Sequence, residues 1–147
     1  MQQAAAKADT GLGATEALVK FASGLRYDDI PEAAIHAARR HSLDTVGAIL
    51  AGARQHATKA VKQTLLELAG TGNAPVPGLT RRFDPLSAAY IAGTAGHGLE
   101  LDDGYRAGSV HPGTVIIPAL LAASATGRFD GKQWLLQPVV AVRRPDK

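Results

Sequence analysis

Small apolar side chains at helical spacing run through most of this chain, and they decide what it can build. Ala34, Ile35, Ala38, Leu43, Val46, Ile49 and Leu50 recur at helical intervals up to Gly52, the signature of a helix that buries one face. Asp28-Asp29-Ile30-Pro31-Glu32 reads as its start, with Asp as cap and Pro in the first turn. Further helices are predicted from Thr15 to the region of Gly24–Tyr27 and over 58–68, with Ala60, Val61, Leu65 and Leu68 inward. Others run from Asp84-Pro85 to about Leu99 and from Val115 to Ala125 behind Pro112 and Thr114. The Gly- and Pro-rich residues 70–78 form a loop, with a short extended piece. Aromatic residues make up only 5% of the chain, so the core has to be built from Ala, Leu, Val and Ile. That favours helices that approach closely, and the expected fold is all-α, a multi-helix bundle.

The sequence divides into a flexible leader over 1–13, a helical body over 14–136 and an irregular tail over 137–147. The last boundary rests on Gln137-Pro138, which would break a helix begun at Lys132, and on the polar, aperiodic end of the chain. A helix start without a helix body reads as a non-native continuation of a longer chain.

Composition removes several function classes. The chain has no cysteine, which excludes disulfides, thiolate metal sites and thiol nucleophiles in this segment. A net charge of +3 with scattered Lys and Arg gives no basic face interleaved with aromatics, so no nucleic-acid partner is expected. Neither a signal peptide nor a membrane span is legible, and the expected location is cytoplasmic. A small positive excess suits a small polyanionic substrate.

Chemistry concentrates in one stretch. His97 to Gly113 holds the carboxylates of Glu100, Asp102 and Asp103, two imidazoles and the guanidinium of Arg106, spaced by glycines. The acids follow one predicted helix, and His111-Pro112 precedes the next. Such a corner brings carboxylate and imidazole to one mouth. There the free amides at the start of the second helix, Gly113 and Thr114 behind Pro112, offer an anion site. Arg106 is placed to clamp a carboxylate in two-pronged fashion. General acid–base catalysis near neutral pH calls for this mixture of His and Asp. Adjacent carboxylates repel, so one of them shares a proton or turns away to cap backbone. The same acids would serve equally as turn residues. His97, among Gly93, Ala95, Gly96 and Gly98, reads as a packing residue, and His36, His41 and His56 as surface or core-satisfied ones. No metal is expected, since no H-x-x-x-H or calcium-loop pattern is present; a metal hydrolase built on Asp102, Asp103 and His111 stands as a weak rival.

Several elements in order carry a resemblance: Tyr27-Asp-Asp-Ile-Pro, Asp44-Thr-Val-Gly-Ala, Ala89-Tyr-Ile-Ala-Gly-Thr-Ala-Gly-His, Glu100-Leu-Asp-Asp-Gly-Tyr-Arg, His111-Pro-Gly-Thr and Pro118-Ala-Leu-Leu-Ala. From about Thr15 to Trp134 the chain resembles the N-terminal part of the MmgE/PrpD family, which includes 2-methylcitrate dehydratase, cis-aconitate decarboxylase and iminodisuccinate epimerase. The resemblance implies a helical domain that works in the full protein beside an α/β lid, a homodimer, no cofactor, and a di- or tricarboxylate substrate that loses a proton next to a carboxylate. It implies Asp102 and Asp103 as the family's acidic pair and His111 as its motif histidine, the expected catalytic residues; Arg106, Gly113, Thr114 and Glu100 are expected to bind substrate. Glu100 stands where members often have Asp, and Gly104 where the decarboxylase branch has Thr. Those departures argue against decarboxylation and leave dehydratase or epimerase-like chemistry open; the leading expectation is a hydro-lyase acting on a 2-methylcitrate-like tricarboxylate, as in propionate metabolism. The alternatives are an isomerase of a substituted succinate and a non-catalytic helical remnant that self-associates. Complete members are much longer, so the resemblance also implies a truncated chain that does not turn over substrate alone.

Overall fold

A computed structural model describes residues 13–68, 70–127 and 130–142. Among the described residues six α-helices follow one another: α1 (Ala14–Gly24), α2 (Glu32–Gly52), α3 (His56–Leu68), α4 (Pro85–His97), α5 (Pro112–Ala123) and α6 (Gly131–Val142). Single 3-10 turns at Tyr27–Asp29 and Arg106–Gly108 interrupt the connections. Among the described residues there is no strand, only isolated antiparallel bridges at Ala74–Phe83 and Tyr105–Val110. The fold is all-α, as the spacing predicts. The leader over 1–12 lies outside the described residues, as do 143–147 of the tail.

Helix α4 is the hub. Its Ala88, Ile91, Ala92, Ala95 and Gly96 are buried, a stripe at i, i+3, i+4, i+7 and i+8, and α2, α3 and α5 all pack on it. Asp84 starts the helix as expected: its carboxylate accepts from the Ser87 amide at 3.0 Å, with Pro85 just inside. Ile49 from α2, Ala122 from α5, and Ala74, Val76 and Phe83 from the connection between α3 and α4 complete this core. Phe83 and Ala74 exchange both backbone hydrogen bonds, at 2.9 and 3.0 Å, which is the short extended piece of the 70–78 region. A second, smaller core joins Ile30, Ile35, Ala38 and Val139, so α6 packs on the start of α2.

Four expectations change. Asp28 and Asp29 form the 3-10 turn, and the cap of α2 is Pro31, whose carbonyl accepts from Ala34 and Ile35. The buried side of α2 runs through Ile35, Ala38, Ser42, Thr45, Ile49 and Gly52, leaving Leu43 74% and Leu50 52% exposed. Ser42 and Thr45 tolerate burial because their hydroxyls donate to the carbonyls of Ala38 and His41, at 2.7 and 2.9 Å. On α3, Val61 and Leu65 turn inward but Leu68 does not. Finally, α6 does not stop at Gln137. It runs through Pro138 to Val142, because Pro138 and Val139 are buried and that packing outweighs the lost backbone hydrogen bond.

No helix among the described residues is long and apolar enough to cross a membrane.

Candidate active site

The corner between α4 and α5 gathers the titratable groups. It forms because the two helices touch closely where their side chains are smallest. A Cβ on Gly96 would come within 2.9 Å of Thr114 Cγ2 and 3.3 Å of Ile49 Cγ1, so only glycine lets the end of α4 lie against the start of α5. That contact sets His97, in the last turn of α4, beside His111, the residue immediately before α5. Their ring centroids are 4.9 Å apart, tilted by 60°.

Asp102 lies beneath both rings. Its side chain is fully buried, while those of His97 and His111 are 54% and 48% exposed. His97 Nδ1 donates to Asp102 Oδ2 at 3.0 Å, and His111 Nδ1 stands 3.2 Å from the same oxygen. The Thr114 hydroxyl, 3.2 Å from both Asp102 Oδ2 and the His111 carbonyl, shares its proton between them. One carboxylate oxygen thus accepts from His97 and Thr114 with His111 Nδ1 close by, while Oδ1 is buried without a hydrogen-bond partner. Burial pushes the Asp102 carboxyl up. The His97 hydrogen bond and charge, with help from its own backbone and from Thr114, outweigh that and hold it below the ordinary 3.8.

Asp103 faces the other way. Its Oδ1 accepts from the Gly113 amide at 2.9 Å, so the adjacent acids separate and one caps backbone, as repulsion between them requires. The fit is tight: a Cβ on Gly113 would collide with both Thr45 Oγ1 and Asp103 Oδ1. This changes the expected anion site. The Gly113 amide and the Thr114 hydroxyl at the start of α5 already serve the protein's own carboxylates. Arg106 sits exposed in the 3-10 turn, on a small loop closed by the Tyr105–Val110 bridge and by Ser109 at φ 50°. Glu100 is exposed too, with φ 51°.

Of the site residues predicted from sequence, the fold brings Asp102, Asp103, His111, Gly113 and Thr114 together, and leaves Glu100 and Arg106 at the surface. The residue the sequence reading passed over is His97. Its signal was its place: the last turn before the acidic loop, mirroring His111 at the first turn after it. The other three histidines, His36, His41 and His56, are exposed.

A cleft of about 590 Å³ opens beside this cluster rather than on it. Asp103, Gly104, Tyr105, Pro112 and Gly113 form one wall, and Ala34, Ala38, His41 and Val139 the other. It is mainly apolar.

Residues 16–142 match the MmgE/PrpD N-terminal domain. The chain belongs to the MmgE/PrpD family. It is similar to the cis-aconitate decarboxylase of Aspergillus terreus, 27% identical over 132 residues that make up 90% of this chain and 27% of the relative. It is also similar to the cis-aconitate decarboxylase-like protein oryM of Aspergillus oryzae, 29% identical over 110 residues, 75% of this chain and 23% of the relative. The chain therefore spans about a quarter of the length of these curated relatives. In this MmgE/PrpD chain the match extends through α6, past Pro138.

Proposed function

We propose that this chain supplies the acid–base half of a cofactor-independent MmgE/PrpD lyase, dehydrating a 2-methylcitrate-like tricarboxylate. The observation that supports it is the pair of imidazoles sharing one buried carboxylate. With Nδ1 of each ring turned to Asp102, Nε2 of each is left for substrate. Dehydration needs one group to take the proton next to a carboxylate and another to protonate the departing hydroxyl. His111 fills one role and His97 the other, with Asp102 orienting both rings and Asp103 securing the start of α5. Arg106, on its exposed loop, reaches for a substrate carboxylate.

The names of the similar fungal proteins favour a second reading, decarboxylation of cis-aconitate. There the carbon–carbon bond to CO2 breaks and an imidazole returns a proton to the carbon. Gly104, in place of the threonine of that branch, weighs for dehydration. A substituted-succinate isomerase would use the same two imidazoles to remove and return one proton.

The test is NMR of the imidazole resonances while 2-methylcitrate and cis-aconitate are added in turn. His97 and His111 are expected to shift and His36 and His56 to stay. Equal movement of all the histidines, or none, refutes the reading. Assays for water loss and CO2 release on the same samples separate the two reactions. Turnover by the 147-residue chain itself would overturn the further expectation that it supplies only part of the machinery.

A further inference from the structure

We propose that His97, Asp102 and His111 bind a divalent transition-metal ion, best matched by Zn2+, and that the ion competes with acid–base use of the same imidazoles. The inference does not depend on which reaction the site performs. The three residues offer His97 Nδ1, His111 Nδ1 and one carboxylate oxygen, all within 4.8 Å of one another. A tetrahedral zinc ion with bonds of about 2.1 Å sets its ligand atoms about 3.4 Å apart. The two imidazole-to-carboxylate separations, 3.0 and 3.2 Å, already lie near that spacing.

The chemistry of the set favours a borderline-soft cation. Two neutral imidazoles and a carboxylate suit zinc, cobalt or nickel better than magnesium or calcium, which prefer oxygen ligands. A second observation points the same way: Asp102 Oδ1 is buried with no hydrogen-bond partner, while Oδ2 accepts from His97 and Thr114 with His111 Nδ1 3.2 Å away. A cation at the mouth takes the place of the imidazole N–H groups and satisfies the charge directly. The Thr114 hydroxyl remains on the carboxylate as an outer support. Asp103 is turned to the Gly113 amide and supplies no ligand, so the ligand set differs from Asp102, Asp103 and His111, the one suggested by sequence spacing. The ion's fourth position faces solvent between the rings.

Occupancy excludes catalysis through these rings. With Nδ1 bound to the metal, each neutral ring keeps its proton on Nε2 and has no lone pair there with which to take one from substrate. Zinc is therefore an inhibitor of the site and not its cofactor.

The experiment is isothermal titration of ZnCl2 into the metal-free 147-residue chain, repeated with H97Q, H111Q, T114V and H56Q. The parent is expected to take up one equivalent. H97Q and H111Q are expected to weaken binding by about 100-fold and T114V by about 10-fold, with H56Q unchanged. Substoichiometric uptake, or parent-like affinity in either H97Q or H111Q, overturns the proposal. Far-UV circular dichroism shows whether each variant folds. If one does not, Co2+ added to the parent decides: paramagnetic displacement confined to the His97 and His111 resonances supports the site, and its absence refutes it. Zinc uptake with no response to tricarboxylate would sink the proposed function alone; the reverse would sink only this inference.

Discussion

Replacing Asp102 by Asn tests whether the buried carboxylate holds the corner together or merely sits in it. The amide matches the carboxylate in shape but not in charge. Hydrogen bonds to a charged acceptor contribute about 1.5–3 kcal/mol and neutral ones about 0.5–1.5, so the donations from His97 and Thr114 lose about 2 kcal/mol between them. The new NH2 has no good place. At the Oδ1 position it is buried without an acceptor, and at the Oδ2 position it faces the donors of His97 and Thr114; either arrangement adds about 1–3 kcal/mol. Against this stands relief of the desolvation that burial imposes on the charge. The net expectation is a loss of about 2 kcal/mol at neutral pH, a fall in Tm of about 4–8 °C for a domain of this size. Thermal and urea denaturation of the two proteins measure it.

The pH dependence gives the same idea a sharper edge. The Asp102 carboxyl is held below 3.8 in the folded chain, so the stability it contributes is present above that value. It is lost as pH falls through the folded value. His97 and His111 both face this carboxylate, while Asp103 is turned to the Gly113 amide. The gap between parent and D102N should therefore narrow on acidification. If D102N equals or exceeds the parent at neutral pH, desolvation wins and the carboxylate is a cost kept for chemistry. If the gap persists unchanged in acid, charge is not its origin.

Two glycines of α2 should answer oppositely to alanine. G47A meets nothing within 4 Å and should stabilise by about 0.5–1 kcal/mol. In G52A the added carbon overlaps the Ala95 carbonyl and forces α4 away, costing about 2 kcal/mol; equal urea midpoints for the two variants would refute the packing described. D103A removes the acceptor for the Gly113 amide, so hydrogen exchange at that amide should quicken and stability fall by about 1 kcal/mol; unchanged exchange would mean the cap is idle. At Asp84 the hydrogen bonds from Ser87 lower the carboxyl below 3.8, so its support of α4 is present above that value and lost on acidification through the folded one. D84N should flatten that part of the acid transition, and an identical transition would remove Asp84 from the account.

What could be read from the sequence, and what could not, follows from where the information sits. Asp84-Pro85 is local chemistry, a side chain and its own next turn, and the start of α4 appeared where expected. The 3.6-residue spacing located each helix as well. The buried face of α2 was harder, since apolar residues occur on more than one side of it. The face chosen is the one where Ser42 and Thr45 can return their hydroxyls to the backbone and where Gly52 lets α4 come close. Leu43, the more obvious candidate, is left outside. Pro138 shows the same limit in reverse: a local helix breaker is overruled by burial against α2, which no short window of sequence contains.

The site divides along the same line. Asp102, Asp103 and His111 were legible because their types crowd one loop, but their division of labour was not. Whether an acid faces an imidazole or a backbone amide depends on a separation of a few ångströms fixed by two helices packing. His97 was hidden for a related reason. The small residues around it in α4 read as a packing surface, and they are one, with Gly96 against Thr114. That same packing delivers the imidazole to Asp102. Close helix approach and the paired-histidine site are therefore a single feature, so a bulkier residue at Gly96 should separate His97 from His111 even with every titratable group left in place. Replacement of Gly96 by Val, followed by zinc titration, checks this: weakened binding in a folded variant is expected. Parent-like affinity would show that the corner is held by its loop rather than by the helices that flank it.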